Sequence, residues 1–150
     1  MTKDAPGRSE APAEEAIPEP PPGFAHVAGR GAFSNHVGPY FRRADGAQAF
    51  FALKRHCNAI GLIHGGMLSA FLDGVLAAAA ARGGSGGQPV TIHLSIDFLD
   101  MGRAGEWVIG EAALTRAASD LAFVEGRAHV GGRTLARATG VFKRMRRPGP

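Results

Sequence analysis

The 150-residue sequence predicts an α+β domain in which an antiparallel β-sheet wraps around one long central helix. Three observations carry that reading. A run rich in Ala and Leu, from Met67 to Ala81, is apolar on nearly every face, as a buried helix is. Val90 to Phe98 alternates strictly between apolar and polar residues, the pattern of a strand with one buried face. Three more segments with strand-like patterning follow, at Glu106–Thr115, Leu121–Val130 and Thr134–Arg144.

The elements fall in a simple order. Residues 1–22 are acidic, poor in large apolar side chains and hold six of the ten prolines. We expect a disordered tail over residues 1–23 and one folded domain over residues 24–150. Two strand-like segments open the domain, Gly38–Arg43 and Ala47–Arg55, with the turn pair Asp45-Gly46 between them. A loop from His56 to Gly66 leads into the helix, which Arg82 and two glycines close. Gly83-Gly84-Ser85-Gly86-Gly87 resembles a phosphate loop in composition, but it lacks the Lys-Ser/Thr ending and reads as a flexible connector. Ser119-Asp120 and Gly131-Gly132 supply the turns between the last strands.

Composition bounds the function. With 45% hydrophobic and 20% charged residues, the chain has ordinary globular character. Its single cysteine, Cys57, excludes an internal disulfide and suits a reducing compartment. Cys57 reads as a small semi-buried side chain rather than a nucleophile. No apolar run reaches the roughly 20 residues that span a membrane, because Asp73 interrupts the longest one. The N-terminus lacks the apolar segment of a signal peptide, so we expect a cytoplasmic protein without membrane contact.

The net charge is +4 although the tail is acidic, so the domain itself is basic and suits an anionic partner. Aromatic residues are few and no nucleic-acid-binding motif is present. A phosphate-bearing small molecule is therefore expected rather than nucleic acid. Lys143, Arg144, Arg146 and Arg147 read as solubility charge. His26, His36, His93 and His129 show no metal-ligand spacing, and His56 and His64 lack nearby thiols or carboxylates. Neither a metal nor a cofactor is expected.

Asp73 is the residue that packing does not explain. It is the only charged side chain between Gly65 and Ala81, flanked by Phe71, Leu72, Val75 and Leu76. A buried carboxylate is costly unless it is paired, so a helix built only for packing would exclude it. Upstream, His64-Gly65-Gly66 marks the helix start, where free backbone N–H groups and a positive partial charge suit a phosphate or a developing oxyanion. Gly65 and Asp73 are eight positions apart, which is about 12 Å along a helix axis. If both serve one reaction, they come from different chains. A symmetric dimer with antiparallel helices provides that arrangement.

The stretch His56-x-Asn58-x-x-Gly61-x-x-His64-Gly65-Gly66, with Asp73 in the following helix, resembles the hotdog-fold thioesterases of the phenylacetate-pathway, PaaI-like group. The Thr91 to Leu99 strand resembles the same family. The likeness covers roughly residues 37–143 and is most specific from Asn58 to Asp73. It implies the hotdog fold, homodimers often paired into tetramers with the site at the subunit interface, and acyl-CoA substrates hydrolysed to acid and CoA. By the match, Asp73 is the general base or nucleophile and the Gly65 N–H polarises the thioester carbonyl. Asn58 holds the carbonyl or the water, His64 positions the loop or contacts the thiol side, and Thr91 orients the water. Gly66 lies on the substrate side.

Many relatives carry a basic residue after the Phe-Leu pair, where this chain has Phe98-Leu99-Asp100-Met101-Gly102-Arg103. Arg103 is the candidate to take that role toward CoA. Three other functions fit less well. A hotdog hydratase or dehydratase would add water to enoyl-CoA. A non-catalytic acyl-CoA binder would bind without turnover. A nucleic-acid binder would show salt-sensitive affinity.

Overall fold

The computed structural model describes residues 15–83 and 87–145. Residues 1–14 of the expected tail, the centre of the glycine connector at 84–86, and Arg146 and Arg147 lie outside the described residues. The elements are β1 (Ala25–His26), α1 (Ala32–Val37), β2 (Phe41–Arg42), β3 (Gln48–Phe51), α2 (Gly65–Arg82), β4 (Gln88–Phe98), β5 (Trp107–Ala118), β6 (Leu121–Val130) and β7 (Arg133–Met145). A single turn of 3₁₀ helix, Lys54–His56, links β3 to the loop before α2.

The strands form one antiparallel sheet in the order β1-β2-β3-β5-β6-β7-β4. The chain leaves β3, runs through α2 and re-enters the sheet at its far edge as β4. The helix therefore lies across β5, β6, β7 and β4 and packs on all of them. This is the α+β, hotdog architecture expected from the sequence.

Side-chain shape explains the seating of the helix. Met67, Leu68, Phe71, Leu72, Val75, Leu76, Ala79 and Ala80 form one buried stripe along α2. The Phe71 ring meets Phe50 edge-on at 4.8 Å and stacks on Tyr40 at 5.9 Å. Gly110 lets the helix approach, because a Cβ there would come within 2.7 Å of Phe71 and Val75. The helix is not enclosed on every side, however. Ser69, Ala70, Asp73, Gly74, Ala77 and Ala78 are only half-buried within one chain.

The first third of the domain differs from the expected pair of strands. Gly38–Arg43 is not one strand: α1 runs up to Val37, and the chain is extended only at Phe41–Arg42. Pro39 has no N–H to give a ladder, and Gly38 closes the helix by donating to the Ser34 carbonyl. The next strand stops at Phe51 because the chain turns into the 3₁₀ segment. The Asp45-Gly46 turn is present, with the Asp45 carboxylate accepting from the Ala47 N–H and Gly46 at φ 94°.

Residues 15–23, which composition groups with the tail, lie against the domain. The Glu15 carboxylate accepts from the Lys54 N–H at 2.8 Å, and Ile17 packs on a small cluster of Phe24, Phe41, Ala47 and Ala49. At the other end, Arg144 is not solubility charge. It is buried, and its guanidinium donates to the Ser119 carbonyl at 2.8 Å, pinning the β5–β6 turn. Lys143 is exposed and pairs with Asp120.

Gly110→Ala should destabilise the fold by about 1–3 kcal/mol, the usual cost of forcing extra volume into a packed core. Urea denaturation would show a lowered midpoint with an unchanged slope.

Candidate active site

The register of β4 decides what faces Asp73. Strict alternation from Val90 to Phe98 would put Thr91 on the opposite face from Leu94, Ile96 and Phe98. The β4–β7 pairing instead shifts between Thr91 and His93, so Ile92 is an extra residue in a β-bulge. Thr91 pairs with Phe142 and Leu94 with Gly140, while His93 pairs with Val141. Directly paired residues share a face, and Phe142 is fully buried beneath the helix. The bulge therefore turns Thr91 toward α2, where its hydroxyl donates to Asp73 Oδ1 at 2.6 Å. The expected single buried face of β4 is corrected accordingly. Leu94 and Ile96 are half-buried, whereas Val90, Ile92 and Phe98 are about half exposed.

Asp73 itself is half-buried in the single chain rather than enclosed. The polar partner that makes it tolerable on an apolar helix is Thr91, not the backbone amide or arginine that packing would ordinarily supply. Two side chains absent from the sequence argument hold this turn of the helix. The Gln48 amide, fully buried, donates to the Gly74 carbonyl at 3.3 Å, and Arg30 donates to the Gln48 oxygen. Their separation from Asp73 along the chain gave no signal of this contact.

The start of α2 is shaped by His64. Its Nδ1 accepts from the Gly66 N–H at 2.9 Å, so the imidazole is the N-cap of the helix. The Met67 and Leu68 N–H groups reach the His64 carbonyl. Among the described residues the Gly65 N–H has no acceptor. Of the two glycines, only Gly65 offers a free amide; Gly66, expected on the substrate side, has its amide occupied.

Asn58 builds the loop that delivers this turn. Its side-chain oxygen accepts from the Ile60 and Leu62 N–H groups, each at 3.1 Å, and Gly61 adopts φ 78° to close the loop. The Asn58 Nδ2 has no partner among the described residues. Arg103 lies alongside, bridged by its backbone to Leu62, with an exposed side chain. Arg133, which sequence reasoning passed over, pairs with Asp100 and Glu106 and ties that loop to β7. Cys57 is half-buried and its thiol is pushed up chiefly by burial, the opposite of an activated nucleophile. No group of three His, Cys, Asp or Glu side chains able to hold a metal occurs among the described residues. Nor is any helix there long and apolar enough to cross a membrane.

The family profile described as the thioesterase superfamily matches residues 60–136, which contain the helix, the free Gly65 amide and Asp73. A candidate esterase of Pseudomonas aeruginosa is 35% identical over 127 residues, covering 81% of this chain and 95% of the relative. The chain belongs to the thioesterase superfamily. Solved structures of similar shape include a candidate thioesterase of Ralstonia eutropha related to phenylacetic acid degradation. It is 26% identical, with a TM-score of 0.61 over 83% of this chain and 92% of that one. The PaaI protein of the Escherichia coli phenylacetic acid degradation operon gives a TM-score of 0.66 at 18% identity, over 78% and 86% of the two chains. A Bacillus halodurans protein solved with CoA gives 0.61 at 24% identity, over 67% and 69%. This superfamily member is a thioester hydrolase.

One buried group near the site makes a pH prediction. His56 is 4% exposed, and burial, with the neighbouring Arg55 charge adding to it, lowers its pKa from the ordinary 6.5. The unfolded chain thus binds this proton more readily, so stability falls as pH drops below 6.5 toward the folded-state value. Denaturation midpoints measured between pH 7.5 and about 5 should decline, with part of the slope absent in His56→Gln.

Proposed function

We infer that the protein hydrolyses acyl-CoA thioesters to free acid and CoA in a site shared by two copies of the chain. Asp73 comes from one copy and the Gly65 N–H from the other. The observation that carries this is the spacing of the free Gly65 amide and the Thr91-bonded Asp73 carboxylate, two helical turns apart on one rigid element. A single chain cannot bring both to one carbonyl.

Surface chemistry supports a homodimer. β4 lies at an edge of the sheet with one side unpaired, and it exposes Val90, Ile92 and Phe98. Leu99 and Met101 extend the apolar patch beyond the strand. Natural sheets blunt free edges with charge or proline, so a long edge bearing apolar side chains fits a covered one. The half-buried face of α2, rich in small residues, lies beside it. A two-fold axis there pairs the helices antiparallel and makes two equivalent sites. Pairing of such dimers into tetramers is compatible with the same interface.

The chemistry needs little more. The thioester carbonyl oxygen accepts from the Gly65 N–H at the positive end of α2, which stabilises charge as the tetrahedral intermediate forms. Asp73 takes a proton from the attacking water; Thr91 occupies Oδ1 and leaves Oδ2 for that task. The water oxygen bonds to the carbonyl carbon, the C–S bond breaks, and CoA leaves as a thiol after taking up a proton. A thiolate is a good leaving group, so no strong acid is required. Asn58 offers its free Nδ2 donors to the water or carbonyl, while His64 fixes the loop by capping the helix. Arg103 lies exposed near the mouth and suits the phosphates of CoA. The CoA bound by the Bacillus halodurans neighbour supports that substrate class. Cys57 as a free thiol suits a cytoplasmic setting.

Release of free thiol from a panel of acyl-CoAs tests the reading. Asp73→Asn should lose about 10²–10⁴-fold in kcat while remaining folded. Gly65→Pro replaces the amide hydrogen with a ring carbon, at the first helical position where proline is tolerated and where its Cβ would make ordinary contact with Phe98, and should lose about 10²–10³-fold. Mixed dimers of the two variants should regain one intact site of the two. Absence of any rescue in verified mixed dimers would place both groups in the same chain's site and defeat the shared-site reading.

A further inference from the structure

A cavity of about 270 Å³ opens beside the first turn of α2. One wall is Phe33 and Val37 of α1, and the facing wall is Met67 and Ala70 of α2. His64 and Gly66 also line it, and they flank Gly65 in the chain, so the cavity adjoins the free Gly65 amide. It is smaller than the roughly 300–1,000 Å³ pockets that take drug-sized ligands, so it suits a compact occupant.

The polar side chains around it are engaged by the fold. The Arg55 guanidinium donates to the Gly38 carbonyl, His56 Nδ1 accepts from the Leu53 N–H at 3.1 Å, and His64 Nδ1 accepts from the Gly66 N–H. The His56 Nε2 is closed off from solvent altogether. These bonds hold the walls rather than an occupant. What the cavity reads is therefore chiefly size and apolarity.

The α1 wall has a light footing. None of its residues is buried, Val37 packs only partly on the main core, and the chain enters the helix through Gly31 at φ 93°. Phe33 is 67% exposed although it lines the cavity. A single exposed ring means little by itself. This one borders a void whose opposite wall, Met67, is buried. An apolar occupant covers the ring and fills the gap between the two helices, contacts that the empty cavity lacks.

We propose that this cavity receives the acyl group, and that Ala70 and Phe33, on its opposite walls, set the size of chain it accepts. With the thioester oxygen on the Gly65 amide, the carbon chain runs between Met67 and Val37. A long chain outgrows the space, and a very short one leaves the Phe33 ring in water. The inference rests on the thioesterase reading of the same site, and it names compact apolar acyl groups as the substrate class.

Three CoA thioethers that cannot be hydrolysed test the size limit: S-(2-oxopropyl)-CoA, S-(2-oxohexyl)-CoA and S-(2-oxododecyl)-CoA. Titration calorimetry on the wild-type protein should show the oxohexyl analogue binding at least about tenfold more tightly than the oxopropyl one, with no further gain for oxododecyl. Ala70→Leu puts side-chain volume into the cavity and should cut that ratio about tenfold, the scale on which a pocket refuses a methylene group. Ala70 also lies on the half-covered face of α2, so the Phe33 variants repeat the test from the other wall. Phe33→Ala should lower the ratio, and Phe33→Leu, which keeps an apolar roof, should retain most of it. Equal affinities on the wild type, no binding of any analogue, or a ratio unchanged in both Ala70→Leu and Phe33→Ala would overturn the proposal. Hydrolysis of simple acyl-CoAs is a separate readout. Its absence alongside size-selective thioether binding would count against the hydrolase reading and leave the pocket standing.

Discussion

Once α2 forms, the amide at its start and the carboxylate in its middle are held at a separation that no side-chain rotation closes. A helix rises by about 1.5 Å per residue, and the sheet clamps this one along a continuous stripe from Met67 to Ala80. Much of the rest follows from that spacing. The face carrying Asp73 is left half-covered by its own chain, and the edge strand beside it keeps its apolar side chains in solvent. A surface that a lone chain would do better to bury fits the second copy that the proposed shared site requires.

The sequence made the long elements legible. The apolar run beginning at Met67, the alternation in Leu121–Val130 and the turn at Asp45-Gly46 all have periods or turn residues that local physics dictates. Asp73 stood out because charge in an apolar helix requires a reason. The parts that stayed hidden depend on contacts between distant segments. A hydrophobic pattern records where apolar residues lie but cannot register an inserted residue, so the bulge at Ile92 and the turning of Thr91 toward Asp73 escaped it. Arg144 looked like one more basic residue in a basic terminus, and only the position of the Ser119 carbonyl makes it a buried strut. Gly38–Arg43 reads as one strand because Tyr40 and Phe41 carry strand-like side chains, but Gly38 and Pro39 interrupt the ladder and only Phe41–Arg42 is paired.

The loop before α2 shows how few polar side chains are needed to set an active turn. Asn58 gathers two backbone amides, His56 takes the Leu53 amide, and His64 takes the Gly66 amide. Each satisfies a donor that the bend would otherwise strand. Among the described residues, the Gly65 N–H is left without an acceptor at the end of this arrangement and the Asn58 Nδ2 without a partner. In the proposed site, folding and ligand binding thus draw on different atoms of the same residues.

The occupied Nδ1 atoms also settle the traffic of protons. An imidazole serves as a base through its unprotonated nitrogen, and in His56 and His64 that lone pair already receives a backbone N–H. Neither ring can collect a proton without releasing the amide that shapes the loop or the helix start. Two histidines beside a hydrolytic centre would ordinarily suggest a relay. Here the backbone has disarmed them, which in the proposed shared site leaves the Asp73 carboxylate of the second copy to act as the base.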